Sequence, residues 1–387
     1  MHYELNDLQQ SFQSTARKFA EQALAPNAET WDKTAFFPKE TFKAAGDLGF
    51  MAMYIPEEFG GIGLSRLDST LIMEELAAGC TATAAFISIH NMAFNILARY
   101  GQKAVLDQWA PLLASGEKLA SYCLTEPGAG SDAASLTTKA EKQDGHYILN
   151  GTKAFISGAG DTDLLIVMAR TSAEGAKGIS CFAVPATSQG ISFGKKEDKL
   201  GWNSQPTRLI HFENVRIPQS HLLASEGQGF KLAMEGLDGG RLNIAACSVG
   251  TAKASLKAAT EHVQARKQFN QALSEFQATQ FKLADMLTEL CAARQMIRLG
   301  AFKLDHRHAD KTAFCAMAKR FATDVGFRIC DEALQLHGGY GYIKDYPVER
   351  HFRDTRVHRI LEGTNEVMRL IIARRILSDD NFAIIHE

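Results

Sequence analysis

The first residue with an evident chemical use is a glutamate set between apolar neighbours and a glycine. Glu362 lies in RILEGTNEV, Arg359 to Val367, after Ile360 and Leu361 and before Gly363. Thr364 is a helix N-capping type, so the carboxylate is presented just ahead of a helix start. In an apolar pocket, desolvation would raise its pKa and make it a stronger base. The bland alternative is that it simply favours the helix N-terminus electrostatically. Two glycine-rich segments offer backbone that a ligand can approach closely. YCLTEPGAGSDAASL, Tyr122 to Leu136, satisfies a loose GxGxx(G/A) dinucleotide pattern, but TTKAEKQDGHYILNGTKAFIS follows instead of a crossover helix, which argues against a Rossmann unit. A plain turn between strands is the competing reading. QLHGGYGY, Gln335 to Tyr342, breaks a helical region with three glycines in four positions; it suits either close ligand approach or simple helix termination. Arg266 in QARKQF and the later Phe276-Gln277 could grip a pyrophosphate and pack an aromatic on a cofactor, where a solvated helical charge is the alternative. Arg241 follows Asp238-Gly239-Gly240, which reads as an approach site or a helix kink. The histidines show no metal-ligand spacing, and no metal is assigned.

These residues need elements to hold them. Up to about residue 120, apolar residues recur at helical spacing. Between about 121 and 230 the pattern becomes short β-branched and aromatic runs, HYILNGTKAFIS, TDLLIVMART, ISCFAVPA and TRLIHFENVRIP, with Asn150-Gly151 predicted as a type I′ hairpin turn. From about 231 to 387 long helical stretches return, which suggests a bundle and an oligomer. The expected organisation is therefore α+β and mainly α: a helical block over 1–120, an antiparallel β block over 121–230 and a helical bundle over 231–387.

The chain has 387 residues, enough for two or three folding units with a large core. Lys plus Arg number 42 against 44 Asp plus Glu, a net charge of −2, so no general basic field collects nucleic acid or an anionic membrane. Seven scattered cysteines without CxxC spacing read as thiols in a reducing compartment rather than as a disulfide framework or zinc site. The N-terminus MHYELNDLQQSFQ has neither signal-peptide nor transit-peptide character, and no run of about 18 apolar residues occurs. The expectation is a cytoplasmic protein of bacterial type without a membrane span.

Taken in order, YCLTEPGAGSD, NGTKAFIS, RKQF with the later FQ, QLHGGYGY and LEGTNEVMR resemble the motifs of the acyl-CoA dehydrogenase family over nearly the whole chain. GLDGGRLN, KLGWNSQPTR, FISIHNM and MLTEL are most similar to the branch that acts on isobutyryl-CoA in valine breakdown. The resemblance implies an N-terminal helical domain, a central antiparallel β domain, a C-terminal four-helix bundle and a homotetramer of flavoproteins. It implies FAD lined by Tyr122, Cys123, Leu124, Thr125, Gly130, Ser131, Phe155, Ile156 and Ser157. Arg266, Phe269, Phe276, Gln277, Gln335, Leu336, His337, Gly338 and Gly339 would hold the diphosphate and adenosine end, partly from a neighbouring subunit, and Thr364, Asn365 and Glu366 would complete that site. The family commonly has Trp where Phe155 stands, often Gln at Glu366, and this branch often has Asn at Asp238. Ser131, Asp238, Gly239, Gly240, Arg241 and Arg374 would contact the acyl-CoA.

Glu362 matches the family's catalytic base. Some relatives place the base just before the arginine that aligns with Arg241, but Gly240 stands there in this chain. The implied reaction is α-proton removal by Glu362 with hydride transfer from the β-carbon to the flavin. The enolate-like oxygen is then stabilised by the Glu362 backbone N–H and a flavin ribityl hydroxyl. An electron-transferring flavoprotein is the implied acceptor. A 2-methylbutyryl or short straight-chain substrate is the nearest variant; a flavin oxidase and a non-catalytic acyl-CoA-binding protein are the further alternatives.

Overall fold

A computed structural model describes residues 4–378 and residue 384. The chain opens with α1 (Asp7–Phe19), whose N-terminus is closed by a reciprocal box: Asn6 accepts from the Gln9 N–H, and the Gln9 side chain accepts from the Asn6 N–H. A π turn over Ala20–Leu24 leads into α2 (Ala25–Thr34), followed by α3 (Lys39–Asp47), α4 (Arg66–Gly79), α5 (Thr81–Tyr100) and α6 (Lys103–Ala114). Every residue of α5 from Thr81 to Ala98 is buried. A helix so buried is covered on all sides, its few polar side chains included, and α5 lies between the other helices and the sheet.

The sheet comprises β1 (Ala120–Cys123), β2 (Lys139–Gln143), β3 (His146–Ser157), β4 (Leu164–Arg170), β5 (Ile179–Pro185), β6 (Ile191–Phe193), β7 (Thr207–Pro218) and β8 (Leu222–Leu223). Its order is β6-β7-β3-β2-β4-β5-β8, with β1 pairing β4 off this path. Most pairings are antiparallel as the sequence suggests, but β1 runs parallel to β4, and Lys139 of β2 meets Arg170 of β4 in parallel, so the sheet is mixed. β4 is buried on both faces: Leu164, Ile166 and Met168 join the core shared with α5 and α6, while Leu165 and Val167 pack with Tyr147, Phe182 and Phe212.

The Asn150-Gly151 turn expectation is corrected. β3 runs straight through these residues, and Gly151 marks a shift of register against β7. The hairpin joining β2 to β3 turns instead at Asp144 and Gly145, whose φ angles of 47° and 73° are the positive pair that a type I′ turn requires. Gly151 is kept small by Thr138, whose Cα lies 2.7 Å from where a Cβ would stand.

Beyond β8 comes α7 (Gly229–Ala265), then a ribbon of β9 (Lys267–Gln268) and β10 (Gln271–Ala272), then α8 (Gln277–Asp305), α9 (Lys311–His337), α10 (Pro347–Arg356) and α11 (Asn365–Leu377). Leu242, Ala245 and Val249 of α7 face the cluster made with α8 and α9, whereas Ile244, Ala246 and Cys247 face the N-terminal helices. One long helix therefore serves both helical blocks.

Candidate active site

Glu362 sits in the short link before α11, with φ at 55° in the left-handed region and Gly363 following at 88°. Such a conformation is strained for glutamate and has to be held by its surroundings. Thr364 caps α11 by accepting from the Val367 N–H at 3.3 Å. Although the residue as a whole is half-buried, both carboxylate oxygens are shielded from solvent and have no hydrogen-bond partner among the described residues. The carboxylate lies over α7 at Gly240, where a Cβ would stand 2.4 Å from Glu362 Oε2 and 3.0 Å from Met92 Sδ. Burial pushes the carboxyl up to about 7 against the opposing charges of Lys319 and Arg241. A carboxylate so poised, with its lone pairs unspent, can accept a proton near neutral pH.

The wall around it is built from four elements. On α7, Arg241 donates from Nη1 to Asp238 Oδ1 at 2.7 Å, and the Thr312 hydroxyl donates to Asp238 Oδ2 at 2.6 Å. Arg241 Nε lies 3.5 Å from the Glu362 carbonyl oxygen. Gly239 is packed by the guanidinium of Arg66, which stacks 3.4 Å from the centre of the Tyr54 ring. From β1, the phenol of Tyr122 donates to the Ala233 carbonyl at 3.3 Å; burial raises its pKa, and Glu362 is among the charges it feels.

A second group of segments meets beside β1 and β3. The Ala154 N–H donates to the Thr125 carbonyl, which ties the loop Thr125–Ser131 to the turn at Phe155. Phe155 has φ at 56° within a break of β3–β7 register, and its ring is 71% exposed, whereas Ile156 is buried. Ser157 Oγ accepts from Gln205 Nε2 at 2.9 Å. Cys123 and Leu124 are buried, Gly130 and Ser131 exposed. Gly128 and Gly130 face open space on the side where a Cβ would project.

The third group lies elsewhere. Arg266, Gln335, Leu336, His337, Gly338 and Gly339 line one concavity of about 630 Å³. His337 stacks on His262 at 4.3 Å, and Arg266 lies over the Tyr340 ring at 5.4 Å. Phe269, 88% exposed at the tip of the β9–β10 ribbon, contacts Phe276 edge-on at 6.3 Å, and Gln277 is exposed at the start of α8. At 1.5 Å per residue, the 18 steps along α9 from Lys319 to His337 place this concavity roughly 27 Å along the helix from the Glu362 link.

Three family models match in chain order: acyl-CoA dehydrogenase N-terminal domain over residues 6–117, middle domain over 121–215 and C-terminal domain over 227–377. The mitochondrial isobutyryl-CoA dehydrogenase of Dictyostelium discoideum is 55% identical over 97% of this chain and 91% of that protein. The chain belongs to the acyl-CoA dehydrogenase family. The corresponding bovine protein, from Bos taurus, is 51% identical over 97% of this chain and 90% of that one. Butyryl-CoA dehydrogenase from Megasphaera elsdenii superposes with a TM-score of 0.94 at 39% identity, covering 97% of this chain and all of that one.

Acyl-CoA dehydrogenases are FAD-dependent oxidoreductases, as is this chain. The residues present fit the cofactor. The loop glycines Gly128 and Gly130, like Gly338 and Gly339 at the distant concavity, have no atom within 4 Å of a Cβ position, which leaves room for a ligand against backbone. The exposed rings of Phe155 and Phe269 are apolar surface that a planar ring system would cover.

Some expected residues are spent otherwise or stand apart. The Asn365 amide is taken up within the chain by Lys319, Thr323 and Asp324. Glu366 is exposed and pairs with Arg369 at 3.5 Å, its carboxyl lowered by its own backbone N–H and Thr364. Arg374 is exposed on α11, three turns beyond the cap. Conversely, Lys153, Glu126 and Lys319 are buried charges that no sequence motif marks as such. Lys153 is fully buried in β3 and donates to the Leu124 carbonyl at 3.0 Å and Glu126 Oε1 at 2.8 Å. Glu126 also accepts from the Thr137 and Thr138 N–H groups. A lysine on the inward-facing side of a strand was the available signal, because such a charge needs a buried partner.

Proposed function

We propose that this acyl-CoA dehydrogenase converts a short branched-chain thioester, isobutyryl-CoA, to methacrylyl-CoA in valine breakdown, with Glu362 as the base. FAD, when bound, supplies the acceptor for the hydride that leaves the β-carbon. Glu362 takes the α-proton onto a carboxylate oxygen, and the electron pair of that C–H bond becomes the new α,β double bond. A thioester α-proton is too weakly acidic for a carboxylate in water, so the site must also stabilise the developing oxyanion. The Glu362 N–H is read as one donor for it. Closure of the pocket around Gly240 and Met92 excludes water from the carboxylate. Tyr122 to Ser131 and Phe155 to Ser157 are read as lining the flavin, and Ser131 and Asp238 to Arg241 as lining the acyl-CoA.

The observation that carries the chemistry is the shielded, unpartnered Glu362 carboxylate over Gly240. The substrate reading rests on the two isobutyryl-CoA dehydrogenases at 55% and 51% identity. Likeness to butyryl-CoA dehydrogenase favours a short straight chain as the second reading. A homotetramer of three-domain subunits (1–120, 121–230 and 231–387) accounts for the distance of the Arg266 concavity from Glu362: a neighbouring subunit would bring that end to the flavin. The electron acceptor is read as an electron-transferring flavoprotein. A reducing compartment such as the cytoplasm suits the seven unpaired cysteines, while the relatives' names place those proteins in mitochondria. Among the described residues, no helix is long and apolar enough to cross a membrane.

Anaerobic titration of the yellow holoprotein with isobutyryl-, 2-methylbutyryl-, butyryl- and octanoyl-CoA tests the reading. Isobutyryl-CoA should bleach the flavin most efficiently, and a stronger response to butyryl-CoA selects the second reading. Rapid oxygen consumption without an acceptor would point to an oxidase instead. Glu362→Gln should keep the flavin and lose the bleaching. Because the base works ionised, kcat/KM in the parent enzyme should fall about tenfold per pH unit below about 7.

A further inference from the structure

The link that carries Glu362 is held from beneath by a buried ammonium. Lys319, on α9, has no solvent exposure and donates to the Gly363 carbonyl at 2.9 Å and to Asn365 Oδ1 at 2.9 Å. Asn365 in turn donates to Thr323 Oγ1 and Asp324 Oδ1. Ammonium, amide and the first turn of α11 thus form one rigid unit, and the left-handed backbone of Glu362 and Gly363 is pinned by it. Two neutral acceptors could be served by a neutral donor at far lower desolvation cost, so a cation here needs another reason.

The charges facing Glu362 supply that reason. Lys319 from α9 and Arg241 from α7 are the charges that act on its carboxylate; Tyr122 of β1 and Cys247 of α7 face it as groups that burial keeps neutral, while Asp324 of α9, Glu366 of α11 and His358 of the turn 357–359, neutral through burial, surround Lys319. Arg241 is compensated by its ion pair with Asp238. The hydrogen bonds of Lys319 go to a carbonyl and an amide oxygen, so no bonded carboxylate cancels its charge toward Glu362. At the same time it does not hydrogen-bond the Glu362 carboxylate itself.

We propose that Lys319 is a positioning residue for Glu362: its two hydrogen bonds fix the link that presents the carboxylate, and its charge keeps that carboxylate ionised while leaving both oxygens free for a substrate proton. This rests on the reading of Glu362 as the base. Burial raises the Glu362 carboxyl to about 7, with Lys319 the largest influence in the opposite direction; burial likewise lowers Lys319 to about 8. Removing the cation therefore moves Glu362 further upward.

The test uses holoenzyme carrying K319Q, K319M or K319R. It reads the pH dependence of kcat/KM together with an infrared titration of the carboxyl band that E362Q removes. In K319Q and K319M the acid limb and the carboxyl band should both move up by about 1–3 units, the span for loss of a nearby opposite charge, with activity recovering at high pH. K319Q retains a side-chain amide donor and carries the test where K319M does not fold, and K319R should return the limb toward the parent position. If K319Q lowers kcat while limb and band stay at the parent pH, Lys319 is only a structural prop and the proposal falls. If E362Q still turns over substrate, the base assignment falls and Lys319 with it. An inactive E362Q with an unmoved K319Q limb overturns the Lys319 proposal alone.

Discussion

Glu362 and Gly240 form a pair in which the absence of one side chain makes room for the other. A methyl group at Gly240 would stand 2.4 Å from Oε2 and 2.9 Å from Cδ of Glu362, closer than real contacts allow, so the carboxylate must swing away. G240A should therefore keep its flavin yet bleach with substrate at least about tenfold more slowly, since an ångström of misplacement can cost about 100-fold. Stopped-flow reduction measures this, and a parent-like rate would mean the carboxylate works from another position. The sheltered setting of Glu362 was legible because its signals are local: an apolar pair, a glutamate, a glycine and a cap stand side by side in the chain. Lys319 was not legible. It lies 43 positions before Glu362, in a stretch MAKRF that gives no sign that its lysine turns inward, and only the packing of α9 against the start of α11 reveals it.

Among the elements, the strand–turn–strand grammar of residues 121–230 was readable, but the choice between two candidate turns was not. Asp144-Gly145 and Asn150-Gly151 are both favoured type I′ pairs. Pairing decided between them, because Lys139 to Gln143 of β2 match Asn150 to His146 of β3 and leave Asn150 inside the strand. The same strand then delivers Lys153 to Glu126, an ion pair with both side chains almost wholly buried. Burial pushes Glu126 upward, but Lys153 and the donors of Thr137 and Thr138 overcome it and hold the carboxyl at about 2. K153M leaves that carboxylate buried without its cation and should cost about 3–5 kcal/mol. Thermal melting checks the loss and its pH course. The stability that the depressed carboxyl gives the parent should be full above about pH 4.5 and shrink as pH falls toward 2, because such a group contributes only where it stays ionised, so the gap to K153M should narrow in acid. A gap that does not narrow in acid would show that packing, not the charge pair, holds Leu124 to Glu126 in place.

At the scale of the molecule, the three-block reading of helices, sheet and helices agrees with the order of elements, but the blocks share more than the sequence suggests. Ile244, Ala246 and Cys247 of α7 complete the core of the first helices, and Leu232, Ala233 and Leu237 at its start join the core of α5, α6 and the sheet. Periodicity shows that a helix is amphipathic without showing which distant block its faces cover. A fragment of residues 1–120 should accordingly lack a cooperative thermal transition, whereas adding residues 121–265 should restore one. A sharp melt for the short piece would show that α7 is dispensable to that core. The same helix also sets a schedule for synthesis. α6 ends at Ala114, but α7 does not begin until Gly229, a delay on the order of ten seconds at about 5–20 residues per second. For that time α5, buried on every side in the finished fold, leaves the ribosome without the surface that covers one of its faces, which makes the nascent chain a natural client for chaperones that shield hydrophobic helices.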